Sequence, residues 1–118
     1  MKNSITTITL VIFLTSCSVF NSLNSNTSIK PNESFLLGNN KHGKFKVTLK
    51  NVSNHEIEIY FAPIEGGNYS RQTLKINQEI TTKVAQNTAI VIENKSTDYA
   101  SVDLKATGDL NLGMNYKQ

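Results

Sequence analysis

The side chains of residues 44–50 alternate strictly between polar and apolar. Phe45, Val47 and Leu49 fall on one face of an extended chain, and polar residues, mostly lysines, fall on the other. A period of two with one polar face is typical of a half-buried antiparallel strand. This stretch therefore predicts a sheet with one face in water.

Short apolar runs separated by turn residues follow along the rest of the chain. We predict strands at 35–37, 44–50, 56–62, 70–76, 79–85, 88–94, 99–107 and 110–116. No segment carries the 3.6-residue apolar spacing of a helix. The pattern predicts an all-β fold, an antiparallel β-sandwich or jelly-roll of about 7–8 short strands, with a small β-barrel as the alternative.

The charges and apolar runs also predict how strands pair. Residues 44–50 place lysines outward and residues 56–62 place glutamates outward, so we expect a hairpin with cross-strand ion pairs. The unbroken apolar run at 89–92 predicts a strand covered on both faces. Its expected partner is 99–107.

The start of the chain has a different layout. A short polar stretch with Lys2 precedes a mostly apolar run at 5–14. A basic start, an apolar core of about 7–15 residues and then small side chains are typical of a secretory signal peptide. A helix that spans a bilayer needs about 20 apolar residues, so this run is too short to be one.

Leu14-Thr15-Ser16-Cys17 follows that run directly, and Cys17 is the single cysteine of the chain. The four residues resemble the lipobox of bacterial lipoproteins, which is a leucine, two small residues and an obligatory cysteine. The resemblance implies that residues 1–16 are a cleaved signal peptide. It also implies that the Cys17 thiol is linked to diacylglycerol and the new amino terminus is acylated, as by palmitate.

Residues 17–33 are rich in Ser, Asn and Thr, which predicts a lipidated cysteine followed by a flexible tether. Residues 34–118 then form the β-sandwich domain. No acidic residue lies between Cys17 and Glu33. The lipoprotein resemblance therefore implies a lipid-anchored location in the cell envelope, on the periplasmic face of the outer membrane.

The formal net charge is +3, and the basic residues are spread along the sequence. This spacing predicts neither nucleic-acid binding nor a polybasic membrane patch. Asparagine is frequent between the apolar runs, where its tolerance of left-handed backbone angles suits turns.

Few residues in the chain suggest chemistry. His42 and His55 are the only histidines and fall in predicted turns, where we expect solvated side chains. A zinc site needs three or four converging ligands, so we predict no metal and no cofactor. Glu56 and Glu58 share a strand face, but strand geometry alone places them about 7 Å apart. We therefore predict no enzymatic activity.

The longest interruption between strands is residues 63–71. Gly66 and Gly67 allow close backbone approach to a partner, Tyr69 offers a flat amphipathic surface, and Arg71 is the only arginine. Aromatic residues and arginine are enriched in binding hot spots. These four residues are the predicted binding site.

The sequence thus favours a non-enzymatic lipoprotein that serves as a binding or structural module for an envelope protein or glycan. The alternative is an inhibitor that inserts the 63–71 loop into a secreted or host hydrolase. A third class, an enzyme with a site formed only in three dimensions, is not favoured.

Overall fold

A computed structural model describes residues 22–67 and 70–118. These residues form nine strands and no helix. The strands are β1 (Leu23–Ile29), β2 (Ser34–Leu37), β3 (Phe45–Asn51), β4 (Ile57–Pro63), β5 (Gln72–Leu74), β6 (Glu79–Val84), β7 (Thr88–Glu93), β8 (Ala100–Gly108) and β9 (Met114–Lys117).

The strands form two antiparallel sheets, which confirms the predicted all-β sandwich. One sheet has the order β1-β8-β3-β6, and the other has the order β5-β4-β7-β2-β9. Four hydrogen-bonded pairs are β1 with β8, β2 with β7, β3 with β6, and β4 with β5. These pairs are the pairs of one long antiparallel hairpin, which folds over so that its strands are shared between the two sheets. This is the jelly-roll arrangement. β9 adds to β2 at the edge of the second sheet.

The rolled topology explains why the predicted hairpin is wrong. β3 and β4 follow each other in sequence but lie in different sheets. β3 pairs with β6 and β8, whereas β4 pairs with β5 and β7. The expected ladder of lysines opposite glutamates therefore does not form. Alternation shows which face of a strand is buried but does not show its neighbour.

β7 is covered on both faces, as the apolar run predicts, and residues 88–92 are all buried. Its predicted pairing with β8 is wrong, because β7 lies between β4 and β2. The last strand is shorter than predicted. Leu110 and Leu112 precede it and pack, partly buried, against the core.

The predicted tether extends too far into the domain. Residues 23–29 form β1, which pairs with β8 over its whole length. Leu23, Ser25, Thr27 and Ile29 point inward, and Ile29 is fully buried. Two of these four inward residues, Ser25 and Thr27, are polar. The sequence therefore does not show the alternation of apolar and polar residues that indicates a strand. Cys17 and the rest of the tether up to residue 21 lie outside the described residues.

The core lies between the two sheets and is built almost wholly from strand residues. Its members include Leu37, Val47, Leu49, Ile57, Ile90, Ile92 and Val102, each at most 2% exposed. Each of the nine strands finds its hydrogen-bonding partner within residues 23–117. A chain that begins at residue 18 therefore contains both complete sheets and this core.

The sandwich has two distinct ends. The lower end is where Leu23, Phe45, Val84 and Gly108 lie, and the upper end is where Ile29, Asn51, Glu93 and Ala100 lie. β1 enters at the lower end and reaches the upper end after seven residues, roughly 20 Å along a strand.

Two buried asparagines close the upper end. Asn94 Nδ2 donates to the carbonyl oxygens of Ile29, Lys30 and Asp98, and its Oδ1 accepts the N–H of Ser96. Asn51 makes the matching bonds in the other sheet, to Ser53, His55 and Leu74. Each side chain thereby satisfies turn backbone groups that would otherwise be unpaired.

Candidate functional site

The loop after β4 carries two residues of the predicted site. Gly66 and Gly67 have φ angles of 110° and 90°, and both are exposed. Tyr69 lies outside the described residues. Because β4 ends at Pro63, the two glycines project from the lower end of the sandwich, the end at which β1 begins.

Arg71 lies apart from these glycines, against the outer face of the five-stranded sheet. Its Nη1 is 2.6 Å from Glu93 Oε1 and 3.7 Å from Glu58 Oε1. Its guanidinium carbon is 4.4 Å from the centre of the Tyr60 ring, within cation–π range. The structure thus places Arg71 among sheet residues.

Lys95 completes this group. Its Nζ is 3.2 Å from Glu58 Oε2 and 3.6 Å from Glu93 Oε1. We call Glu58, Arg71, Glu93 and Lys95 the charge cluster. Desolvation lowers the pKa of Arg71, but Glu93, Tyr60 and Glu58 together outweigh it, so the net shift is upward. Glu58 and Glu93 each have two cations beside them, Arg71 and Lys95. These ion pairs connect the start of β5 and the turn after β7 to β4.

The prediction of a solvated His42 is wrong. The side chain is 8% exposed and packs edge-on against Phe45. Nδ1 lies 2.6 Å from the Gly43 carbonyl oxygen, and Nε2 lies 2.8 Å from that of Gly38 and 3.2 Å from that of Thr88. His42 thus links three loop and strand backbones at the lower end.

His55 lies in the turn between β3 and β4, as predicted, and is half-buried. Its ring nitrogens lie 2.9 Å from the Glu56 carbonyl oxygen and 3.1 Å from that of Tyr99. Within residues 22–67 and 70–118, no three His, Cys, Asp or Glu side chains are grouped to hold a metal ion. Both histidines therefore serve backbone contacts in the described fold.

A cleft at the upper end is the strongest candidate site. It is a depression of about 460 Å³ lined by Ser28, Lys30, Glu33, Tyr99 and Tyr116. Tyr99 and Tyr116 are 61% and 53% exposed. Tyr116 is held edge-on by the buried ring of Phe35, at 5.3 Å between centroids. We call this feature the tyrosine cleft.

Glu33 supplies the negative charge in the tyrosine cleft. The residue is only 7% exposed, and its backbone is fixed by bonds to Lys30 and Asn94. Its carboxylate has no hydrogen bond or ion pair among the residues that the structure describes. Its oxygens are not among the fully buried unpartnered atoms, so solvent reaches the carboxylate in the cleft. A free carboxylate beside two exposed aromatic rings is a candidate ligand site.

The sequence analysis missed this cleft. Glu33 falls in the predicted tether, and the two tyrosines lie at the ends of separate strands. β1 and β9 bring them together by pairing with β8 and β2, and no local pattern encodes those pairings. The one available signal was the pair of tyrosines flanked by polar residues near the end of the chain.

No protein-family model matches the chain, and no curated protein matches it in sequence. The described residues contain no helix that could span a membrane.

Solved structures show the same fold in distant proteins. The chain is similar to PirA, with a TM-score of 0.55, 13% identity and coverage of 71% of this chain and 93% of that one. It is similar to the Yersinia pseudotuberculosis-derived mitogen, with a TM-score of 0.50, 16% identity and coverage of 79% and 94%. At these identities the likeness concerns the fold alone.

A third similar structure is procruciferin, an 11S globulin from Brassica napus, with a TM-score of 0.54 and 15% identity. The match covers 80% of this chain but only 22% of procruciferin. The likeness therefore concerns only a part of that larger protein.

Proposed function

We propose that this chain is a lipid-anchored lipoprotein of the cell envelope whose β-sandwich binds an envelope glycan, without catalysis, in the tyrosine cleft. The anchor is Cys17, and the expected location is the periplasmic face of the outer membrane. Two or three acyl chains on one cysteine hold a protein on a membrane stably, because each buried methylene contributes about 0.8 kcal/mol.

The tyrosine cleft is the observation that carries this proposal. Tyrosine rings present flat apolar faces with a hydroxyl at the rim, which suits the alternating C–H and O–H surfaces of a sugar. Glu33 and Lys30 add an acceptor and donors for hydroxyl groups. A protein partner remains the other member of the class that the sequence predicts, and the binding experiment separates the two.

The position of the cleft supports the same interpretation. β1 carries the chain from the lower end to the upper end, where the cleft lies. A domain anchored through residues before β1 would thus hold the tyrosines away from the membrane. The inhibitor alternative needs the loop at Gly66, which projects from the lower end, so we do not favour it.

Two measurements test the proposal. Labelling cells with radioactive palmitate should mark the full-length chain and fail to mark Cys17→Ala. The domain from residue 18 should sediment with purified envelope glycan, and Tyr99→Ala with Tyr116→Ala should lose that binding. Ile76→Ala, which removes another half-exposed side chain, is the matched control.

The outcomes separate the alternatives. Loss of binding in both the tyrosine variant and the Ile76 variant would contradict a role for the cleft. Capture of an envelope protein in place of glycan, lost in the tyrosine variant, would keep the site and assign a protein partner. Palmitate labelling that persists in Cys17→Ala would contradict the anchor.

A further inference from the structure

The outer face of the four-stranded sheet carries its charges unevenly. Lys46, Lys83 and Lys105 lie toward the lower end and the middle of the face, whereas toward the upper end Lys50 lies between the carboxylates of Asp103 and Glu79. The three lysines come from three adjacent strands, β3, β6 and β8. These lysines are far apart in sequence, so the sequence alone does not indicate that they form a cluster. We call the three residues the lysine face.

The lysine face is uncompensated within the fold. Lys46 lies directly opposite Lys83 in the β3–β6 register, where Cβ atoms are about 4.5–5.5 Å apart and like charges are destabilising. Lys105 is opposite Thr48, one diagonal step from Lys46. All three are exposed. In the described part of the chain, no carboxylate lies within ion-pair distance of them.

The surface between these lysines is shaped for an oxyanion. Two of them, Lys46 and Lys105, line a depression of about 330 Å³ together with Thr48, Thr81 and Thr107. Thr48 and Thr81 share a hydrogen bond of 2.8 Å across the strands. Ammonium groups around hydroxyl donors form a surface that fits a phosphate group.

A second depression adjoins the lysine face at the lower end. It is lined by Lys44, Lys46, Lys83 and the exposed Ala85, together with the core residues Phe45 and Val84, which are only 3% and 2% exposed. Lysine stems cover apolar surface while their charged heads stay in water. Apolar and cationic groups side by side fit a lipid surface better than a soluble anion.

The path of the chain places this surface near the membrane. β1 begins at Leu23, on the lower end, and five residues lie between it and Cys17. Even fully extended, the six Cα–Cα steps from Cys17 to Leu23 reach only roughly 20 Å. We infer that the lysine face docks on anionic phospholipid headgroups and leaves the tyrosine cleft, at the opposite end of the sandwich, free to bind. This arrangement rests on the proposed lipidation of Cys17.

Vesicle binding tests the inference without the anchor. The domain from residue 18, which lacks Cys17, is sedimented with vesicles of phosphatidylcholine alone or mixed with phosphatidylglycerol. We expect binding to the anionic vesicles only, reversed by high salt. Lys46→Gln, Lys83→Gln and Lys105→Gln together should weaken it about a hundredfold, from roughly fivefold per lysine.

A charge-matched control replaces two exposed lysines of the upper end, Lys75 and Lys117, by glutamine, and it is compared with the double variant Lys46→Gln and Lys83→Gln of the lysine face. The fold-change in vesicle affinity of this control should be less than a tenth of the fold-change of the lysine-face double variant. Equal loss in both variants would overturn the inference, since net charge alone would then explain binding. A Tm equal to that of the parent domain establishes that each variant is folded.

Two further outcomes are informative. Binding to soluble dextran sulfate with no binding to anionic vesicles would overturn a lipid partner and assign a soluble anionic polymer. Failure of palmitate labelling would refute the anchor but leave the vesicle result standing, because the tested domain carries no cysteine. The two proposals therefore fail separately.

Discussion

Glu58 and Glu93 lie directly opposite each other on β4 and β7. Two carboxylates at one cross-strand position repel each other. Arg71 and Lys95 compensate by lying close to both of them. A loop arginine and a turn lysine thus offset the repulsion between these two carboxylates.

Arg71→Ala should destabilise the domain modestly. Arg71 and Lys95 are substantially exposed, at 45% and 61%, so solvent screens these ion pairs and we expect only a small fall in Tm. The effect should shrink at high salt. An equal effect from Lys75→Ala, which removes a cation outside the cluster, would contradict a specific role.

Asn94→Ala should be far more damaging. It leaves the carbonyl oxygens of Ile29, Lys30 and Asp98 without their shared donor, and unsatisfied buried groups cost about 1–3 kcal/mol each. We expect a loss of about 3 kcal/mol in the free energy of unfolding, measured in urea. Asn24→Ala, on the exposed face of β1, should change it little.

Asp109→Asn should change how stability depends on pH. The backbone N–H groups of Gly43 and Asn111 donate to the Asp109 carboxylate and lower its pKa below the ordinary 3.8. A carboxyl whose pKa is lowered by folding contributes stability above its ordinary pKa, and this is lost as pH falls through the folded value.

The parent should therefore be more stable than Asp109→Asn at neutral pH. The difference should close on acidification below about pH 4. Denaturant unfolding across that range is the measurement. A constant difference at every pH would show that the carboxylate charge is not the cause.

Gly38→Ala should destabilise more than Gly66→Ala. Both glycines have positive φ, at 88° and 110°, so both substitutions carry a backbone cost of about 1–2 kcal/mol. At Gly38 a Cβ would also lie 2.8 Å from His42 Nε2, whereas at Gly66 it would meet nothing within 4 Å. An equal fall in Tm for the two variants would mean that the His42 side chain moves away from the new Cβ without a loss of stability.

Glu33→Gln should weaken ligand binding while changing the stability of the domain little. The carboxylate makes no ion pair within the described residues, so its replacement removes no contact of the fold. Glu65→Gln, in an exposed loop, is the control. If Glu33→Gln lowers stability, the carboxylate is part of the structural framework and not of a ligand site.

The sequence predicts the fold class well because alternation reports directly on burial. Phe45, Val47 and Leu49 are all buried as expected. Asn77 and Asn87, between strands, adopt positive φ as turn asparagines do. Strand pairing was predicted wrongly because a jelly-roll joins residues far apart in sequence. β2 and β7, for example, lie more than fifty residues apart.

The candidate sites could not be predicted for the same reason. Tyr99 directly precedes β8, Tyr116 lies on β9, and Glu33 follows β1, whose inward positions include Ser25 and Thr27. A period-two search needs apolar residues at every second place and therefore misses β1. The predicted role of Gly66, Gly67 and Tyr69 stays a prediction.

β1 lies at the edge of its sheet and runs parallel to the line from the lower end to the upper end. In an antiparallel pair the backbone hydrogen bonds are perpendicular to the strands. A pull between Cys17 and a ligand held at Tyr99 would therefore load the whole β1–β8 ladder in shear. Its seven residue pairs would have to yield together, so the first strand would resist force as a mechanical clamp between membrane and ligand.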